Sequence, residues 1–226
     1  MAVKKLTVGQ QIFYLTFSVL INALGNAFTV ILNLGSALWT AAAVNLIYVI
    51  PISLTLVLVM EGVFGIIANI CMLREVDLRR IVGNLLFMLP FSYLVGFFTT
   101  LLRPVHLTHL PLIAQIILDL FGVVLIGVAI SIYQRVNLIL HPLDDMMQIM
   151  RFKYLRGNAV KAQLAAYTPP IIVIVVLVLL THQIHAVNIG TIFALLFQGT
   201  IVGYADVWIF PSLKHQRLNS INQQSR

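Results

Sequence analysis

"NLILHPLDDMMQIM", residues 137–150, places Asp144 and Asp145 side by side in a chain that otherwise avoids charge. A long apolar run leads into the pair, and Pro142 stands two residues before Asp144. Proline fits the first turn of a helix, and an acidic residue just after it complements the positive end of the helix dipole. The stretch therefore reads as a helix start. It is either solvated at a membrane surface or aimed at a polar path.

Composition puts the surroundings in a bilayer. The 226 residues are 60% hydrophobic and 9% charged, against about 25% charged in a soluble domain. A spanning helix takes about 20 apolar residues, and the apolar runs fall at about 11–32, 47–72, 81–102, 113–135, 164–181 and 190–210. Lys4 and Lys5 ahead of the first run resemble a signal peptide. That run outlasts a signal sequence and lacks a small-residue cleavage site, so it reads as a retained span. The expected fold is an all-α polytopic membrane protein, residues 1–226 forming one membrane domain with six spans.

Charge orients it. With the N-terminus inside, Arg103 alone of the fourteen Lys and Arg residues lies outside. The inner side receives Lys4, Lys5, Arg74, Arg79, Arg80, Arg135, Arg151, Lys153, Arg156, Lys161, Lys214, Arg217 and Arg226. By the positive-inside rule both termini face the cytoplasm. The net charge of +7 sits in short segments between spans rather than in a basic stripe, which argues against a nucleic-acid partner. The lone Cys71 excludes an internal disulfide and a cysteine metal cage.

The two long connections resemble one another. Shifted by 104 residues, "NALGNAFTVILNLGSALWTAA" (22–42) falls on "IGVAISIYQRVNLILHPLDDM" (126–146), with Asn33-Leu34 on Asn137-Leu138 and Thr40 on Asp144. Shifted by 107, "VGNLLFMLPFSYLVG" (82–96) falls on "IGTIFALLFQGTIVG" (189–203), and Gly83 meets Gly190. Each half, 11–102 and 113–210, then holds three spans, and an odd number turns the second half upside down. Inverted repeats of this kind are a recurrent transporter architecture with a site between the halves. Segment 33–46 is uncharged and too short to span; it reads either as a re-entrant or interfacial half-helix, or as an extension of the second span.

These stretches resemble the YczE/YyaS/YitT family of bacterial membrane proteins over nearly the whole chain. Pro142, Asp144, Gly190 and Thr191 match its signature in the second half, with Ile139 replacing a glycine. The first half keeps Leu34-Gly35 and Trp39 but has Leu38 and Thr40 where proline and aspartate are expected. The resemblance implies a permease-like protein of the bacterial cytoplasmic membrane.

No hydrolytic, phosphate-binding or dinucleotide motif occurs, so no enzyme activity, cofactor or metal is expected. The pairs His106/His109 and His182/His185 have no acidic companion and read as solvated. The polar residues inside the spans carry the functional expectation. Glu61 interrupts "LVLVMEGVFGI" just before Gly62 and Gly65, which let a helix approach, and an intramembrane carboxyl faces a polar interior. Asp144, Asp145, Asn26, Asn84, Trp39 and Gln198 join it as solute or ion pathway residues. Asp119 and Asp206, nearer span ends, are expected to reach headgroups, and Arg135 to snorkel outward. Asn22 and Asn69 are expected to bond helix to helix. The small-residue ridge Ala23, Gly25, Ala27 suits docking on a partner helix. Three functions follow: a permease for a small solute or ion, a binding subunit of a vitamin-type importer with energising partner subunits, or a membrane factor acting by protein contact. A homo-oligomer is compatible with each.

Overall fold

The computed structural model describes residues 6–35 and 37–216, all in helices, turns and loops. Lys4, Lys5, Arg217 and Arg226 of the charge argument, and Ser36 of the first connection, lie outside the described residues. Among the described residues six helical segments are long and apolar enough to cross a membrane. The protein is thus a multi-pass, all-α membrane protein.

Helix α1 (Val8–Leu32) is followed by a short α2 (Leu38–Val49), then α3 (Leu54–Leu73) and α4 (Leu78–Leu102). The second half repeats the order: α5 (Leu112–Val136), a short α6 (Pro142–Ile149), the pair α7 (Ala159–Ala166) and α8 (Thr168–Thr181), and α9 (Ile189–Trp208). Both α1 and α5 have 25 residues, and both end on an asparagine in the left-handed conformation, Asn33 (φ 50°) and Asn137 (φ 49°). Asparagine tolerates that region better than other chiral residues, so it stops a helix where the chain must turn.

Segment 33–46 does not extend the second span. Pro51 confines Ile50 to extended backbone (φ −116°), as a residue before proline must be. Ser53 then caps α3 by accepting from the Leu56 N–H at 3.2 Å. Helix α2 is therefore separate. Its 12 residues reach about 18 Å at 1.5 Å per residue, too short to cross. The second span begins at Leu54 rather than at 47. In the other half, Pro169 and Pro170 lack the N–H groups a helix needs. The chain breaks at Tyr167, whose N–H is shared between the carbonyls of Gln163 and Leu164.

The two halves cross. Helices α1 and α5 make the most extensive contact in the molecule. They run antiparallel, because Asn22 meets Tyr133 while Phe28, further along α1, meets Phe121, earlier in α5. Gly25 and Gly122 sit at their crossing, where an added Cβ would come within 2.6 and 2.8 Å of the opposing backbone oxygen. The short helices trade places: α2 packs on α8 of the other half, and α6 packs on α3. Gly83 lies under Ile139, and Gly190 lies under Gly35 and donates its N–H to the Leu34 carbonyl at 2.9 Å. Positions related by the 104 and 107 offsets thus make the same contact from opposite sides, as a two-fold exchanging the halves requires.

Candidate functional site

At the crossing of the halves lies a cavity of about 100 Å³. The repeat places its walls in pairs. At the 104 offset Asn22 pairs with Ile126, Asn26 with Ile130, Ala37 with His141, Trp39 with Leu143, and Thr40 with Asp144; at the 107 offset Phe91 pairs with Gln198. All of these residues line the cavity, so the pseudo-two-fold passes through it. Its chemistry is not two-fold. Most pairs set a polar group against an apolar one, and the two carboxyls, Glu61 and Asp144, come from non-equivalent helices.

The first turn of α6 delivers Asp144. Pro142 stands at the helix start, and the His141 ring accepts the Leu143 N–H at 3.4 Å. Gly65 of α3 lets the turn come close: a Cβ there would sit 3.0 Å from Pro142 and Leu143. Tyr133 donates its hydroxyl to Asp144 Oδ2 at 2.6 Å, and Asn22 donates to that hydroxyl at 3.4 Å. Asn26 in turn donates to Asn22 Oδ1 at 3.0 Å. On the other wall Tyr167 donates to Gln198 Oε1. Burial, more than anything else, lifts the Asp144 carboxyl from 3.8 to about 7, against the Tyr133 hydrogen bond that pulls it down. Burial also lowers His141 from 6.5 to about 4. Glu61 faces the same cavity and makes no hydrogen bond or ion pair among the described residues.

Glu61, Asp144, Asn26, Trp39 and Gln198 are therefore gathered on one cavity. Asp145 and Asn84 are not. Asp145 is fully buried on the other side of α6 and takes two 2.8 Å bonds from Arg80. Asn84 donates to it at 3.3 Å and to the Leu140 carbonyl at 2.8 Å, and Asn69 donates to the Pro142 carbonyl at 3.0 Å. This cluster borders a separate crevice of about 400 Å³ that includes Arg79 and Asn137. It fastens α6 to α3 and α4. Asp145 is an ion-pair partner rather than a solvated cap.

Four further expectations change. Asp206 does not reach headgroups: it accepts from Arg151 (2.7 Å), Ser131 (2.7 Å) and His215 (3.2 Å), with Arg135 Nε at 3.6 Å. Arg135 does not snorkel, being 1% exposed and donating to the carbonyls of Phe210 and Leu213. Asp119 is wholly buried beside Gly190, and neither of its oxygens has a hydrogen-bond partner among the described residues. The ridge Ala23, Gly25 and Ala27 is buried within the chain, with both alanines 0% exposed and Gly25 packed on α5. It presents no surface to a partner helix.

Sequence reasoning passed over Tyr133, Tyr167, His141 and Gln163, all on the cavity wall. The repeat contained a signal for His141, which the offset places opposite Ala37. Nothing in the pattern marked Tyr133, since aromatic residues at span ends are ordinary interface anchors.

Residues 9–206 match DUF6198, a family of unknown function. The chain belongs to that family. No curated protein and no solved structure matches it.

Proposed function

We propose that this member of DUF6198 is a permease for a small solute or ion, in the bacterial cytoplasmic membrane with both termini inside. One observation carries the reading: six pairs of repeat-related positions converge on a single cavity that also receives two carboxyl groups. Inverted-repeat transporters bind at such a midpoint and rock one half against the other to expose it to each side in turn. Two short helices, each packed across the boundary between halves, suit that motion. The resemblance to the YczE/YyaS/YitT proteins, and the charge asymmetry of the loops, support the same reading.

The buried ridge at Ala23 and Ala27 counts against docking on an energising subunit through that face. A factor acting only by protein contact would have no need of a carboxyl-lined interior. The test is to screen purified protein by thermal shift against ions, amines, sugars, vitamins and nucleobases, then measure uptake of each hit into liposomes. Saturable uptake that is lost in Glu61→Ala supports a permease. Binding without uptake of any hit overturns it, and uptake indifferent to Glu61→Ala removes Glu61 from the pathway.

A further inference from the structure

We infer that the central cavity takes a small organic cation of the ammonium or guanidinium class. This rests on the permease reading above and names its substrate chemistry.

Charge comes first. Among the described residues Glu61 and Asp144 line the cavity and no lysine or arginine does. Asp144 already accepts from Tyr133, whereas Glu61 has no partner among the described residues. Burial disfavours the ionised form of a carboxyl that has no partner, and a positively charged occupant is what stabilises that form.

Hydrogen bonding points the same way. Gln163 lines the cavity, is 6% exposed, and its buried Oε1 has no hydrogen-bond partner among the described residues. Oxygens in surplus call for a ligand rich in N–H donors. A guanidinium or a primary ammonium offers several donors and accepts none.

The aromatic part of the walls favours an organic cation over a bare metal ion. Trp39, Phe91, Tyr133 and Tyr167 contribute rings to them. Such ring faces attract an organic cation, whereas a hard ion gains nothing from them and needs six or more oxygens closing around it. Size fixes the scale: the cavity of about 100 Å³ equals roughly three waters at ~30 Å³ each. That admits a molecule of a few heavy atoms.

Trp39 supplies the readout, since the other tryptophan, Trp208, is exposed and can be replaced by Phe. In that background, purified protein is titrated with methylammonium and with guanidinium chloride far below denaturing concentration. Sodium, potassium and urea, the neutral counterpart of guanidinium, serve as comparisons. The expected result is a saturable Trp39 fluorescence change with the organic cations and none with urea. Glu61→Gln, which removes a charge-assisted contact, should weaken binding about tenfold or more. The comparison of guanidinium with urea needs no variant, so it decides even where Glu61→Gln fails to fold. Equal response to urea, preference for sodium or potassium, or no response to either organic cation overturns the inference. A neutral or anionic solute found instead by thermal shift, and carried into liposomes, would leave the permease reading standing.

Discussion

Arg80 and Asp145 face each other through two parallel hydrogen bonds of 2.8 Å, from Nε to Oδ2 and from the terminal nitrogen to Oδ1. The pair joins the first turn of α4 to the first turn of α6, and Asp145 is entirely buried. Its partners make the position of α6 depend on a single carboxylate. Removing one member leaves the other charge without compensation.

Arg80→Ala should therefore destabilise the protein by about 3–5 kcal/mol, the range for breaking a buried ion pair. Thermal unfolding in detergent measures it. The double variant Arg80→Ala, Asp145→Asn should recover part of the loss, because no buried charge is then left unpaired. A double variant as unstable as the single one would show that the two residues act separately.

Glycine substitutions should divide by what a Cβ would meet. At Gly25 it would lie 2.6 Å from the Gly122 carbonyl oxygen, whereas at Gly96 it would meet nothing within 4 Å. Gly25→Ala forces α1 and α5 apart and should lower stability by about 1–3 kcal/mol, as overpacking does. Gly96→Ala touches no neighbour and replaces the poorer helix former, so it should raise stability by about 0.5–1 kcal/mol. The difference in melting temperature between the two variants is the measurement.

The sequence carried the frame of this fold because its signals are local. Six apolar runs, Pro51 and Pro142, and the asparagines at 33 and 137 each act within a turn of where they stand. The offsets of 104 and 107 foretold which positions would be equivalent, and Gly83 and Gly190 do make equivalent contacts. What stayed hidden depends on the partner across a gap. Arg135 and Asp206 are 71 residues apart, and a charge near a span end looks the same whether it meets water or a buried counter-ion. The separation of Asp144 from Asp145 was half legible: neighbours on a helix point about 100° apart, so they could not both face one cavity. Which faced it was set by α4, whose Arg80 claims Asp145.

Asp206 is the junction of the second cluster. It touches α5 through Ser131, the turn after α6 through Arg151, and the segment beyond α9 through His215. Asp206→Asn leaves Arg135 (1% exposed) and Arg151 (7% exposed) without a counter-charge. A loss of about 3–5 kcal/mol is expected. Limited proteolysis should cut the segment after Phe210 faster than in the wild type, since Arg135 and His215 both hold it. His215→Ala removes only one bond to Asp206, so its effect on melting should be clearly smaller.

His141 and Asp144 should give stability two opposing pH dependences. The Asp144 carboxyl is raised by burial from 3.8 to about 7. Between those values the folded protein holds a proton that the unfolded chain has lost, so stability falls as pH rises. His141 is lowered by burial from 6.5 to about 4. Across that window the unfolded chain holds the extra proton, so stability rises with pH. The two contributions overlap from about pH 4 to 6.5 and offset one another, leaving the wild type nearly flat at this site. Each substitution should expose the other slope. Asp144→Asn should melt higher as pH rises from 4 to 6.5, and His141→Gln should melt lower as pH rises from 4 to 7. Melting temperature against pH for the three proteins settles the matter. Parallel profiles in all three would mean that neither group keeps its neutral form in the fold, and that the Asp144 carboxylate is ionised across the whole range.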